Sequence, residues 1–300
     1  MSLLGEIRES FAAKQDGARP VKVLPQEYPA WVIRNEDGYG VAVPYYNPDP
    51  VAEKFENCFL HSRKFNIDGS NYTRYLVLSS RAEELWYEFA TVCVQFVEPG
   101  DNGKTRDELV RNPLNWWKKW RDLLGNSISE LRAYSVIAEM LALDTLYKKD
   151  HTIKWTAIEA GSHDIESSNE SFEVKSTIQR YGASAVISGQ HQLESRKRLW
   201  LYFCRLEKSQ LGVSINDVVE RLVSDEYDRE LLNKQLYQLG FEYGSSIRNV
   251  KYKVLENRKY SVDDKFPSIT DNSFVDGHVP NAITQIQYTV DLDGLSYTIW

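Results

Sequence analysis

Cysteine is scarce in this sequence, with only Cys58, Cys93 and Cys204 among 300 residues. Three widely spaced thiols argue against the dense disulfide framework of a small secreted domain, and they fit a reducing cytoplasm. No CxxC or HExxH pattern indicates a zinc site. The cysteines and histidines therefore indicate neither a disulfide framework nor a zinc site.

Long apolar runs are also missing, so the sequence predicts no membrane span. The first residues, MSLLGEIRESFAAKQ, carry Glu6 and Glu9 and lack the positively charged leader of a secretory signal. We expect a cytoplasmic protein without a membrane partner.

An excess of positive charge is the third feature that the sequence lacks. The net charge is −7, whereas a protein that binds nucleic acid by bulk attraction is usually basic. This counts against non-specific DNA binding but leaves room for local basic patches. Hydrophobic residues make up 42% and charged residues 26% of the chain, which is typical of a globular protein.

The first part of the chain predicts a β-rich domain closed by a helix, residues 1–111. A short helix over Met1–Phe11 precedes a series of strands and turns over Val21–Leu78, including a hairpin around Asn35–Gly38. Apolar residues at helical spacing then predict a helix over residues 81–97. The polar, Pro- and Gly-containing stretch that follows is the expected domain boundary.

The second predicted domain covers residues 112–300. From Ser127 the pattern reads helix, strand, strand, strand, helix, strand, helix, with the second of these helices expected over Ala183–Arg196. This order predicts an α/β fold with a mixed central sheet flanked by helices.

One predicted hairpin, SHDIESSNESFEVKST, gathers unusual charge. A turn within Ser167–Glu170 pairs Ile165 with Phe172, and a slip by one residue would place an apolar side chain against a carboxylate. This register sets Asp164 opposite Glu173. Because side chains alternate along a strand, Asp164, Glu173 and Lys175 then share one face.

Directly opposed residues have Cβ atoms only ~5 Å apart, and like charges at such positions destabilise a sheet. A divalent cation such as Mg²⁺ (or Mn²⁺) relieves that repulsion, binds oxygen ligands and keeps positions for a phosphate substrate. Lys175 would then orient the attacking water or stabilise charge on the phosphate. The alternative is a solvent-facing cluster with a Glu–Lys pair of little consequence.

Four blocks in order, SISELRAYSVIAEMLAL, GSHDIESSNESFEVKST, VISGQHQLE and VPNAITQIQYTVDL, resemble the PD-(D/E)XK nuclease superfamily. More narrowly, they are similar to the bacterial PD-(D/E)XK motif proteins linked to antiphage defence loci. The resemblance covers about residues 112–291. It implies a restriction-endonuclease-like core and metal-dependent hydrolysis of DNA, with DNA as the partner and a homodimer or defence-system proteins as possible further partners.

The resemblance also implies residue roles. Asp164 and Glu173 would be metal ligands, with the Val174 carbonyl as a third. Lys175 would be the catalytic lysine, and Glu130 the acidic residue of the first core helix. His163 stands where the proline of the motif would be.

Glu130 has two interpretations that the sequence leaves open. Ser127-x-x-Glu130 forms a capping box, but Glu130 also lies on the apolar stripe of its helix. Glu139, nine residues further on, lies on the opposite side of the helix and is expected to be solvated. We therefore keep Glu130 as the candidate for the acidic residue of the first core helix.

Three polar residues are candidate substrate contacts: Gln190, Gln192 and Thr177. Gln192 is preferred over Gln190 on block similarity, since the two cannot both face the site from one helix. Thr177 shares the Lys175 face of its strand, although its β propensity alone explains it.

Two aromatic or basic clusters remain. The interleaved Trp116, Trp117 and Trp120 with Lys118 and Lys119 could stack on a single strand, but tryptophans at this spacing more often form a core stripe. The run Arg196–Arg198 is expected to end the helix after the ExK strand.

The hairpin and the resemblance together predict a Mg²⁺-dependent DNA endonuclease, and the resemblance alone implies a role in bacterial restriction or antiphage defence. Its alternative is a non-cleaving DNA-binding or partner-binding subunit of a multi-protein complex.

Overall fold

The computed structural model describes residues 2–55, 57–65, 67, 73–124, 132–159, 163–189, 192–270, 273–275, 277–280, 282–283 and 285–300. They divide into two compact units. The first is Met1–Glu130 with Glu242–Ser246, and the second is Leu131–Phe241 with Ile247–Trp300. None of the described helices combines the length and the apolarity needed to cross a membrane.

The first unit contains an antiparallel sheet of six strands in the order β1-β2-β3-β6-β5-β4. The strands are β1 (Gly17–Pro20), β2 (Trp31–Asn35), β3 (Gly38–Pro44), β4 (Ala52–Phe55), β5 (Cys58–Phe65) and β6 (Thr73–Ser80). Four helices accompany them: α1 (Leu3–Ala12), α2 (Trp86–Val97), α3 (Lys104–Arg111) and α4 (Pro113–Leu124). Side chains from one face of the sheet and from the helices form a shared apolar core.

The predicted hairpin at Asn35–Gly38 is present as the β2–β3 connection. Asn35 pairs with Gly38, and Asn35 Oδ1 accepts a hydrogen bond from the Asp37 N–H at 2.9 Å. Gly38 has a φ of +125° and lies so close to the Ser80 carbonyl that a Cβ would collide with it. Glycine is therefore required at this turn.

Helix α4 belongs to the first unit. Trp117 is buried in the core of that unit and Trp116 packs against it, whereas Lys118 and Lys119 are exposed. This is the core stripe that the spacing favoured, and a buried Trp117 ring offers no stacking surface. The compact unit accordingly extends past residue 111, where the sequence placed the boundary.

The second unit contains a mixed sheet of five strands in the order β12-β11-β9-β8-β7. Only β9 and β11 run parallel among these neighbours. The strands of the unit are β7 (Lys154–Trp155), β8 (Ile165–Glu166), β9 (Glu170–Thr177), β10 (Ser184–Ile187), β11 (Arg198–Val213), β12 (Tyr252–Val262) and β13 (Tyr288–Asp291). The helices are α5 (Ala133–Tyr147), α6 (Ile215–Ser224) and α7 (Arg229–Gln238). The predicted α/β fold with a mixed sheet is confirmed.

The helix predicted over Ala183–Arg196 is wrong. Residues Ser184–Ile187 form β10, which pairs antiparallel with β13, and turns follow it. Ala185 and Ile187 are buried while Val186 is exposed. That alternation of buried and exposed side chains is the period of a strand. Gln192 therefore lies in a turn segment, and Arg196–Arg198 does not end a helix.

Candidate active site

The hairpin β8–β9 has the predicted register. Ile165 pairs with Phe172 and Glu166 with Ser171, and the side chains of Ile165 and Phe172 are buried in the core of the second unit. The apolar pair fixes the register because a slip would expose it. Residues at every second position of β9, including Glu173 and Lys175, consequently face away from that core.

Asp164 lies just before β8 and turns its carboxylate to the neighbouring strand. Its Oδ2 accepts a hydrogen bond from the Val174 N–H at 2.7 Å. On the other side, the Thr156 N–H donates to the Asp164 carbonyl at 2.9 Å, and Thr156 Oγ1 donates to the His163 carbonyl at 2.7 Å. Asp164 is thus fixed through its backbone from one side and through its side chain from the other.

Glu173 has two partners. Lys175 Nζ lies 3.0 Å from Glu173 Oε1, and the two side chains are only 17% and 5% exposed. Gln192 Nε2 donates to the same oxygen at 2.5 Å, while Gln192 Oε1 accepts from the Ser188 N–H at 2.8 Å. Gln192, predicted as a substrate contact, therefore holds the glutamate in place from the turn segment.

Glu139 of α5 is the site residue that sequence reasoning missed. It was expected to be solvated, and that expectation is wrong. Trp155 Nε1 donates to Glu139 Oε2 at 3.1 Å, and the charges of Asp164 and Glu173 act on its carboxyl. The available signal was a lone acidic residue within the apolar run Val136–Leu143, since a helix that is apolar all round is buried.

The pKa values of the three carboxyls are raised. Burial, and then the charge of Glu173, raises the pKa of Asp164 to about 7. Burial raises the pKa of Glu173, although Lys175 and Gln192 oppose it. Burial, and then the charge of Asp164, holds the pKa of Glu139 well above its usual range. The cluster therefore combines three desolvated carboxyls with one ammonium, and burial opposes the ionisation of all three carboxyls.

This donor set fits a hard divalent cation. Asp164 and Glu173 supply carboxylate oxygens, and the Val174 carbonyl lies on the same strand edge as the Val174 N–H that binds Asp164. Mg²⁺ and Mn²⁺ prefer such oxygen ligands, and Mg²⁺ needs only one or two carboxylates beside a phosphate. Across the described part of the chain, no three His, Cys, Asp or Glu side chains form a preassembled metal-binding group.

The sequence also singled out Glu130, Gln190, Thr177 and His163. Glu130 and Gln190 lie outside the described residues. Thr177 is half-buried, and its Oγ1 accepts a hydrogen bond from the Gln179 N–H at 3.1 Å. His163 Nδ1 lies 3.3 Å from Glu166 Oε1.

The basic run after β10 is partly neutralised. Lys197 Nζ donates to Glu166 Oε2 at 2.6 Å and to the Ser167 carbonyl at 2.7 Å. The Arg198 guanidinium lies 4.2 Å from the centre of the Trp200 ring. Lys197 therefore braces the β8–β9 turn, a structural role that the sequence did not predict.

Comparison with known proteins adds one finding. The family model described as "Putative PD-(D/E)XK family member, (DUF4420)" matches residues 30–293. The chain has no match among curated proteins and none among solved structures. The matched region includes the whole cluster described above.

Proposed function

Because the chain belongs to this PD-(D/E)XK family, we propose that it is a metal-dependent endonuclease that hydrolyses phosphodiester bonds in DNA. The observation that carries the proposal is the convergence of Asp164, Glu173 and Lys175 on one hairpin, with Glu173 held between Lys175 Nζ and Gln192 Nε2. A solvent-facing Glu–Lys pair would be hydrated, whereas these two side chains are largely buried.

In the proposed site Asp164, Glu173 and the Val174 carbonyl would hold Mg²⁺ or Mn²⁺. The cation would supply charge neutralisation for a phosphate whose negative charge grows during hydrolysis. The Val174 N–H orients Asp164, and Gln192 orients Glu173. Both carboxylates are therefore positioned before any ligand arrives, which lowers the cost of organising the site.

Lys175 would act on the reacting phosphate. Its ammonium is paired with Glu173 at 3.0 Å and is 17% exposed, so it is partly desolvated yet reachable by a substrate. A partly desolvated ammonium stabilises negative charge on a phosphate oxygen more strongly than a fully hydrated one. Nζ also carries protons with which it can orient a water molecule for in-line attack.

Glu139 would replace Glu130 as the acidic residue of the first core helix. Burial, and then the charge of Asp164, holds its pKa well above the usual range, which favours the protonated carboxyl when no cation is near. With the Trp155 N–H donating to it, Glu139 supports the carboxylate pair from behind. In this proposal it sets the charge of the cluster rather than binding the substrate.

The test is cleavage of unmodified and phage-derived modified DNA by the full chain with Mg²⁺, Mn²⁺ or EDTA. Wild type, Lys175→Ala and the matched control Lys253→Ala, at an exposed position of β12, are compared. We expect metal-dependent cuts by wild type and by Lys253→Ala, and none by Lys175→Ala. Equal cleavage by Lys175→Ala would refute the assigned role of the lysine.

A second candidate is a non-cleaving subunit that binds DNA or a partner protein. The net charge of −7 favours a partner protein as its ligand, because an acidic chain gains little from non-specific attraction to DNA. If the wild-type protein cuts no DNA but slows the migration of DNA in a gel, the non-cleaving subunit replaces the endonuclease as the proposed function. The proposed role in antiphage defence rests on the similarity of the four sequence blocks. A homodimer would bring two such sites to one duplex, so that both strands could be cut.

A further inference from the structure

A short loop leaves the end of the candidate catalytic strand. Strand β9 ends at Thr177, two residues after Lys175, and residues 178–183 connect it to β10. With a rise of about 3.3 Å per residue, the loop begins roughly 10 Å along the strand from Lys175. That is within the span of one groove of duplex DNA, so a DNA bound at the hairpin would also reach this loop.

The loop is fixed at both ends by one buried side chain. The Arg205 guanidinium, only 6% exposed, donates to the Gln179 carbonyl and to the Gly182 carbonyl at 3.0 Å. Gly182 has a φ of +73°, a conformation that favours glycine. A buried guanidinium committed to two loop carbonyls gives the tip a defined shape.

The tip of this braced loop displays an aliphatic, a cationic and an aromatic side chain. Ile178 is 52% exposed and Tyr181 is 86% exposed, and Arg180 between them is also exposed. In the described part of the chain Arg180 has no carboxylate at ion-pair distance. Single exposed apolar residues are common, but here they flank an unpaired guanidinium on a rigid loop.

We propose that Ile178–Gly182 is a DNA-contacting loop, with Arg180 on a backbone phosphate and Tyr181 against a base next to the cleavage site. This inference rests on the proposed function, since it assigns a contact to the same substrate. A guanidinium suits phosphate, and an aromatic ring stacks on bases of any sequence. For a chain with a net charge of −7, affinity must come from such local contacts rather than from bulk attraction.

The experiment measures binding of the full chain to a fluorescein-labelled DNA duplex by anisotropy, with Ca²⁺ replacing Mg²⁺, across several salt concentrations. The variants are Arg180→Ala, Tyr181→Ala and Tyr181→Phe. The control is Lys234→Ala with Tyr237→Ala, which removes an exposed cation and an exposed tyrosine from α7. Far-UV circular dichroism confirms that each variant is folded.

We expect Tyr181→Ala to weaken binding about 10-fold with an unchanged salt dependence, and Tyr181→Phe to bind like wild type. Arg180→Ala should lower the slope of log affinity against log salt by about one. The α7 control should match wild type.

Three results would overturn the inference. If wild type binds DNA and both loop variants bind equally well, the loop does not contact DNA, although the proposed function stands. If the loop variants change the oligomeric state in sedimentation without DNA, the tip is a protein contact. If wild type neither binds nor cleaves DNA, the proposed function fails and this inference fails with it.

Discussion

Replacing Asp164 by asparagine should stabilise the metal-free protein, and the gain should depend on pH. The folded protein holds the Asp164 proton up to a pKa of about 7, against an ordinary value of 3.8. The stability contributed by this group is therefore complete below pH 3.8, declines as the pH rises, and is lost above about pH 7. At pH 8 the metal-free site contains an ionised, desolvated carboxylate beside Glu173.

The magnitude follows from the two pKa values. Their difference corresponds to roughly 4 kcal/mol between low pH and pH 8. An asparagine cannot ionise. Its side-chain oxygen can still accept the hydrogen bond that the Val174 N–H now donates to Asp164. Asp164 and Glu173 titrate together, so removing the charge of one changes the pKa of the other. The net gain in the free energy of unfolding should therefore be about 1–4 kcal/mol at pH 8. At pH 5 it should be smaller by roughly 2 kcal/mol.

Urea unfolding in EDTA at pH 5 and pH 8, followed by tryptophan fluorescence, measures both values. The matched control is Asp264→Asn at an exposed position, where we expect a change within about 0.5 kcal/mol at either pH. If Asp164→Asn destabilises the protein equally at the two pH values, the carboxylate is not held in a desolvated, negatively charged cluster, and the account of the site is wrong.

Three further predictions address other contacts. Trp155→Phe removes the indole N–H that donates a hydrogen bond to Glu139 at 3.1 Å. This change should lower the free energy of unfolding by about 1–2 kcal/mol at pH 8, as measured by urea denaturation. Gln192→Ala removes the amide that positions Glu173 and should slow DNA cleavage about 10-fold with little change in DNA affinity, measured by single-turnover kinetics. His61, whose pKa burial lowers to about 4, contributes stability above pH 6.5 that is lost as the pH falls to 4. The loss should reach about 3 kcal/mol at most, and His61→Gln should flatten it in thermal unfolding at pH 4 and pH 7.

Each of these has a clear contrary outcome. Wild-type stability of Trp155→Phe at pH 8 would mean that the indole N–H does not support Glu139. A Gln192→Ala protein that loses DNA affinity but keeps its cleavage rate would make the amide a substrate contact after all. An acid transition that survives in His61→Gln would assign the loss to other groups.

Local pattern was enough to predict the hairpin at the centre of the site. The apolar residues Ile165 and Phe172 and the polar turn between them determine one register, and the structure has that register. The hydrogen bond from the Val174 N–H to the Asp164 carboxylate was not predicted. Such a register depends on neighbours within about ten residues, which a sequence shows directly.

Non-local packing explains what the sequence did not reveal. Glu139 is desolvated and accepts a hydrogen bond from Trp155, which lies sixteen residues away on β7, and no local spacing encodes that contact. The segment Ser184–Ile187 is a strand because β13, about a hundred residues later, pairs with it. Tertiary pairing there overrode the helix that composition favoured. The position of Gln192 beside Glu173 arises from the turn segment after that strand.

The most direct test of the central claim is the single-turnover rate at which the full chain cuts an end-labelled DNA duplex at pH 8 with saturating Mg²⁺. Wild type and Asp164→Asn are compared, with EDTA as the blank. We predict that wild type cleaves the duplex, that EDTA abolishes this cleavage, and that the rate is at least about 100-fold lower for Asp164→Asn. Cleavage by Asp164→Asn at the wild-type rate, or cleavage that persists in EDTA, would contradict it.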